Sequence, residues 1–418
     1  MVISLVIDLL SLILQTGLLI VINPLFWVVM LLIYFQTRGL MHQEEKTFQI
    51  SSRGRREVLK RVFHSSLYGA AGGFLGSLIF VLVGVTLSDI GIGYLWLVAI
   101  LGLLINMRFL CFSYAGGIVS LSSIIFGWPE VNVASILAIV AVLHFIESIL
   151  IKTSGADHPL PVTVNHSQGQ SAGVYILQRI WPVPFVAMIA LAASQAEIPA
   201  SSLDMPDWWP LIETLVESGP GETVMYILLP IAAGLGYGDM SAVQKPETKA
   251  VYTSRSLLLY SLILLVFAVA GSYYFPLLVL GALFSPLGHE AVIKKGQKNE
   301  YQKPPIYTDP PEGILVLDVL KGFPAEQAGL ERGDVVLAVN DMDIDSHREF
   351  FHSLVGHNSV QVEVEDRGKL ILENEGSSPG IVFLNQGQKK DFSELTNSKS
   401  LLRQFFKFLK KKINEFQV

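Results

Sequence analysis

His144 and Glu147 lie three residues apart inside the apolar stretch 131–151, and a helix there would put both on one face. Ionisable groups at membrane depth are costly, so such a pair marks either a polar contact between helices or an ion or proton path. Both sit within two turns of the end of the stretch, where Lys152 is in reach of Glu147 and side chains can extend to the polar interface. A structural polar pair is therefore the leading reading and a transport site the alternative; no second acidic apolar stretch and no internal repeat supports a conduction path. His289-Glu290 begins a zinc-hydrolase pattern, but H-E-x-x-H needs a second histidine where Ile293 stands. Cys111 is the single cysteine, which excludes an internal disulfide or a thiolate metal cluster and reads as a small buried hydrophobe. No G-x-x-x-x-G-K-[ST] phosphate loop occurs, and no soluble segment is large enough for a serine-hydrolase triad. No catalytic residue, metal or cofactor is expected.

The elements around these residues are apolar. Of 418 residues 51% are hydrophobic and 16% charged, against about 25% charged in soluble proteins. Apolar runs that read as spanning helices fall near 65–87, 93–107, 109–126, 131–151, 181–195, 223–238, 256–272 and 273–287. The first stretch, 3–35, is too long for one span and breaks at Asn23-Pro24; it reads as a kinked span, a re-entrant hairpin or two short helices. It lacks the basic start and small-residue cleavage site of a signal peptide. Gly69, Gly72, Gly73 and Gly76 read as small-residue packing in a span. Val162–Val164 and Val174–Ile176 read as strands of a small hairpin.

Charge sorts the connections. Segments 36–64 (Arg38, Lys46, Arg53, Arg55, Arg56, Lys60, Arg61), 239–255 (Lys245, Lys249, Arg255) and 290–303 (Lys294, Lys295, Lys298, Lys303) are basic and read as cytoplasmic. Segment 196–222 holds Glu197, Asp204, Asp207, Glu213, Glu217 and Glu222, no Lys or Arg, and the interfacial pair Trp208-Trp209; it reads as external. Eight alternating spans satisfy every loop, although 93–107 and 273–287 are short enough to be re-entrant. The expected divisions are a membrane domain over 1–289, a linker over 290–304, a soluble domain over 305–375, a flexible linker over 376–399 and a terminal helix over 400–418.

In 305–375 the order is strand, short helix, strand, helix, strand, strand. The string Pro324-Ala325-Glu326-Gln327-Ala328-Gly329-Leu330, followed by Gly333-Asp334-Val335-Val336 and Val339-Asn340, resembles the signature of bacterial PDZ domains of the permuted type. That resemblance implies that a partner's extended segment or C-terminus adds to the edge of strand 313–319. It places Glu312, Gly313, Ile314, Leu315 and Val316 in the carboxylate loop and groove. A helix capped by Ser346, with Glu349 at N3, forms the other wall; Phe350, Phe351 and Leu354 are pocket candidates or core residues. In the tail, Leu401, Leu402, Phe405, Phe406, Leu409, Ile413 and Phe416 recur at helical spacing among Arg403, Lys407, Lys410, Lys411 and Lys412. A basic amphipathic helix of this kind lies on an anionic lipid surface.

The fold class expected is an α-helical polytopic membrane domain, then a small α+β PDZ domain (a partly open β-barrel or sandwich with two helices), then a C-terminal amphipathic helix. The layout of broken apolar segment, basic loop, several spans and one PDZ domain resembles the MinJ family of cell-division topology proteins of Firmicutes. The strings Leu177-Gln178-Arg179-Ile180-Trp181-Pro182-Val183-Pro184 and Leu283-Phe284-Ser285-Pro286-Leu287-Gly288-His289-Glu290 strengthen that resemblance; the basic tail departs from it. The resemblance implies a non-catalytic scaffold at the septum and poles that links DivIVA-like to MinD-like proteins and so confines MinC, with no nucleic-acid partner. Two other classes stay open: an accessory component of a membrane protease system that senses C-termini, and a transporter using His144 and Glu147.

Overall fold

The structure is a computed structural model that describes residues 2–165, 171–199, 202–374, 376, 378–386 and 390–391. The tail positions Arg403, Phe405, Phe406, Lys407 and Lys410 lie outside the described residues. The N-terminal part is helical: α1 (Val2–Leu18), α2 (Pro24–Thr47), α3 (Gly54–Val83), α4 (Ile92–Ile105), α5 (Phe112–Phe126), α6 (Val133–Ser154), α7 (Pro246–Tyr273) and α8 (Phe275–Gln302). The Asn-Pro break separates two helices. Asn23 is extended, its side chain accepts from Leu25 N at 3.0 Å, and Pro24 takes the first helical position, where no N–H is needed.

Six helices among the described residues (α1 with its 3-10 extension, α2, α3, α6, α7 and α8) are long and apolar enough to cross a membrane. Helices α4 and α5 have 14 and 15 residues, about 21–23 Å of rise against a hydrocarbon core of about 30 Å. Tyr94, near the start of α4, lies edge-on to Trp128, just past the end of α5, with centroids 5.3 Å apart. The two helices thus enter and leave the bundle at one end, with Arg108 and Cys111 at the tip of their turn. Helix α8 continues through Gln302, so residues 290–302 are helix and not the linker expected there.

The runs at 181–195 and 223–238, expected as helical spans, are strands. β1 (Leu160–Asn165), β2 (Ser171–Ser194) and β3 (Glu222–Ser241) form an antiparallel ribbon, with β2 and β3 in unbroken register from Tyr175↔Ser241 to Ser194↔Glu222. The expected hairpin of Val162–Val164 and Val174–Ile176 is the β1/β2 part of it, with Val162 opposite Val174. Apolar composition alone does not separate a buried strand from a helix, and the cue passed over is Pro182, Pro184 and Pro230 within these runs.

A strand buried among helices must satisfy its outer edge. β2 does so at alternate residues facing α3. Pro182 and Pro184 have no N–H to satisfy; Val186 N donates to Ser77 Oγ (2.7 Å), Met188 O accepts from Leu87 N (2.8 Å) and Ala190 N donates to Ser88 Oγ (2.8 Å). The α3 glycines let the two backbones meet. A Cβ on Gly69 or Gly73 would lie 2.0 Å from Pro182 O or Pro184 O, and Gly72 and Gly76 receive Ile146 and Phe185. The glycines serve close packing, as their spacing suggests, but three of the four (Gly69, Gly73 and Gly76) face a strand.

The helical unit has two distinct ends. At one, the acidic segment after β2 gathers helix termini: Leu211 N and Ile212 N donate to Val83 O, Asn132 Nδ2 to Glu213 O, and Thr214 Oγ1 to Asp89 Oδ2. At the other, the α2–α3 turn, β1, the start of β2 and the start of α7 meet the C-terminal unit. There Lys249, fully buried, lies 3.4 Å from Asp239 and 3.3 Å from Glu300.

The C-terminal unit comprises β4 (Ile314–Val319), α9 (Pro324–Gln327), β5 (Val335–Val339), β6 (Met342–Asp343), α10 (His347–Ser353), β7 (Ser359–Val364), β8 (Gly368–Glu373) and β9 (Ile381–Phe383). The strand order is β8-β7-β5-β4-β9, with β6 on β5. Asn340 and Asp341, both at positive φ, make the two-residue β5–β6 turn. Ser346 caps α10 through Glu349 N (3.3 Å), and Glu349 reaches back to Asp345 N (2.9 Å), one residue before the cap. β9 falls within 376–399, so that segment is not wholly the flexible linker expected. A short strand β10 (Lys390–Asp391) pairs in parallel with β1.

Candidate peptide-binding groove

Strand β4 is interior. It pairs with β5 on one side (Ile314↔Val336, Leu315↔Val335) and with β9 on the other (Val316↔Phe383, Val319↔Ile381). No edge of β4 is open for strand addition, which corrects the groove expected at Glu312, Gly313, Ile314, Leu315 and Val316. Glu312 is exposed. Gly313 has φ 74, and a Cβ there would lie 2.4 Å from Val336 O; it serves close strand approach rather than an anion cradle. Ile314 and Val316 face the domain core, whereas Leu315 faces the helical unit.

The edge strand is β9, and it lies against α10. Phe383 packs on Phe350 (4.7 Å between centroids) and reaches Phe351 (6.1 Å). Phe350 and Leu354 are buried in the core, while Phe351 is half-buried beside the edge strand. Of the three pocket candidates, Phe351 is thus the one placed to form a wall. Leu384 N donates to Leu315 O (2.9 Å), whereas Phe383 N is occupied by Gln386 Oε1 (2.9 Å). Sequence reasoning passed over β9 because it follows the last clear hairpin; the available signal was Gly380-Ile381-Val382-Phe383-Leu384, a glycine opening an apolar run inside a supposed linker.

Residues 315–364 match the PDZ domain family. The chain carries a PDZ domain. The chain is 23% identical over 274 residues to the cell division topological determinant MinJ of Bacillus subtilis (strain 168), covering 63% of this chain and 64% of that protein. The chain is thus similar to MinJ, and the match spans less than two thirds of that relative's length. No solved structure matches the chain.

The PDZ domain does not hang free. Phe48, Tyr175, Tyr307, Leu315, Leu317, Val382 and Leu384 form one buried cluster that joins the α2–α3 turn, β2 and both β4 and β9. Tyr175 Oη donates to Leu317 O, and Ser378 Oγ donates to Phe48 O (2.9 Å). Arg332 lies over the Tyr175 ring (4.6 Å), donates to Asp318 Oδ1 (3.1 and 3.2 Å) and reaches Glu247 (3.4 Å). Burial pushes the Asp318 carboxyl up to about 6, and Arg332 offsets only part of that desolvation.

His144 and Glu147 do not pair. His144 Nδ1 donates to Val140 O (2.7 Å), and its Nε2 lies 3.1 Å from Cys111 Sγ. The neighbours of His144 come from other helices: Cys111 at the start of α5, Tyr260 on α7 and His289 on α8. No spacing in the sequence announces this, because each residue comes from a different element.

Proposed function

We propose that the chain is a multi-pass, non-catalytic membrane scaffold of cell division. In this reading it concentrates at the division septum and poles and bridges a DivIVA-like to a MinD-like protein. The observation that carries the reading is the similarity to a cell-division topological determinant, joined to a PDZ domain and six apolar helices. The two-ended arrangement supports a single orientation. The basic α2–α3 turn, the end of α8 and the PDZ domain share the end that would face the cytoplasm, and the acidic segment 202–222 shares the other. Replacing two helical spans by one β2/β3 hairpin leaves that orientation unchanged, since a hairpin also leaves and returns to the same side.

The PDZ domain would take an extended segment along β9, with Phe351 as one wall and with Gln386 releasing the N–H of Phe383. The test is a fluorescent protein fused to the C-terminus and imaged in the native bacterial host. Bands at septa and foci at poles are expected. An even signal around the envelope would remove the division role while keeping the cytoplasmic C-terminus. No signal, with the chain present on a blot, would overturn the orientation.

A further inference from the structure

Where helices α5, α6 and α8 meet, three side chains turn metal-ligating atoms toward one another. Cys111 Sγ lies 3.1 Å from His144 Nε2 and 3.7 Å from His289 Nε2, and one ligand atom from each of the three residues lies within 4.8 Å of the other two. A tetrahedral zinc with Zn–S of about 2.3 Å and Zn–N of about 2.0–2.1 Å separates its sulfur and nitrogen ligands by roughly 3.5 Å. The two sulfur–nitrogen distances bracket that value.

Two imidazole Nε2 atoms converge on one sulfur, whose single proton can be donated to only one of them. A carbonyl oxygen only accepts, so the His144 Nδ1 bond to Val140 O places the proton on Nδ1 and leaves the Nε2 lone pair facing Cys111. Metal-bound histidines are oriented by this same outer hydrogen bond. His289 presents its Nε2 to the same sulfur at 3.7 Å, while its Nδ1, on the far side of the ring, is buried without a hydrogen-bond partner among the described residues. Cys111 caps the start of α5, where Ser113 N points at its sulfur (3.5 Å), an N–H that suits a metal-bound thiolate. Cys111 is half-buried, and Arg108 from the α4–α5 turn pairs with Glu290 on α8 (3.2 Å), one residue after His289, where Lys294 also reaches Glu290 (3.3 Å).

We propose that Cys111, His144 and His289 form a binding site for a thiophilic divalent transition metal, with Zn2+ the natural occupant and one coordination position left for a fourth donor. One thiolate and two neutral imidazoles form a borderline-soft set that suits Zn2+ over Mg2+ or Ca2+. Binding takes the proton from Cys111, so Zn2+ and the thiol give a zinc–thiolate bond and one released proton. The ion ties α5, α6 and α8 at a point where no sequence motif announces it. The site is independent of the division role, because it needs neither the PDZ groove nor a partner.

The full chain in detergent, stripped with chelator, is titrated with Co2+ and then Zn2+. One Co2+ per chain with a sulfur-to-cobalt charge-transfer band is expected, displaced by Zn2+. Cys111→Ser should lose that band, His289→Ala should lose stoichiometric binding, and Tyr114→Phe, which removes only the hydroxyl bonded to Glu290, should keep both. Because Cys111 is the only thiol, alkylation of the unmodified chain gives a reading that needs no variant. Zn2+ should slow alkylation at least tenfold, and chelator should restore it. Absence of the band in the unmodified chain, or alkylation indifferent to Zn2+, overturns the proposal.

Discussion

Asp318 is a carboxylate held at a disadvantage. Its folded-state value of about 6 stands above the value near 3.9 of an unfolded chain, so the folded domain holds the proton more tightly. Its contribution to stability is therefore full below about pH 4 and is lost as pH rises through 6, a loss of roughly 2–3 kcal/mol by neutral pH. Arg332 limits that loss while joining the PDZ domain to Glu247 and Tyr175. In Asp318→Asn the fall in stability between about pH 4 and pH 6 should flatten, read by pulse proteolysis of the PDZ domain in urea. An unchanged slope would assign the pH dependence to another group. At this scale the sequence was partly legible. Phe350 and Leu354 could be named from helical spacing, but whether they line a groove or fill a core depends on which strand lies opposite, and that strand is 30 residues farther along. Cys111 and His289 were dismissed one at a time, because a site drawn from three elements has no local pattern to read.

Among the elements, α3 and β2 form the least replaceable contact. Ser77→Ala should leave the Val186 N–H buried and unpaired, a loss of about 1–3 kcal/mol, while Gly73→Ala forces a methyl into the backbone at Pro184 and should cost at least as much. Gly39→Ala, with open space around it, is the matched control. Thermal aggregation of the detergent-solubilised protein should rank the three, with Gly39→Ala unchanged. If Gly73→Ala were as stable as the control, the strand would not lie against α3. The break between the first two helices was legible in the sequence at Asn23-Pro24. The ribbon was not, because β2, buried on both faces, loses the alternation that identifies a strand, and an apolar run of about 15 residues then reads as helix.

For the whole molecule, the attachment of the PDZ domain matters more than its presence. Phe48→Ala removes the α2–α3 aromatic from the cluster that covers β9. Cleavage at Lys303 by trypsin should then quicken several-fold, while the urea midpoint of the PDZ domain itself stays unchanged. A parallel loss of both would mean that the domain and its seat fold as one unit. The general plan of apolar helices followed by a PDZ domain was legible from composition and from the Pro324–Asn340 string; the docking was not, since Tyr175, Phe48 and Leu317 carry no mark of being neighbours. The ribbon also bears on biosynthesis. Residues 171–194 leave the ribosome well before 222–241, and until β3 arrives the inner edge of β2 has no partner, in surroundings without water to stand in. The nascent chain therefore cannot integrate this part span by span, as a set of independent helices would. It has to wait, with α3 already in place on one side, until residue 241 has been made. Only then can α7 pack beside β3, with α8 following on α5 and α7, and bring the PDZ domain to its seat.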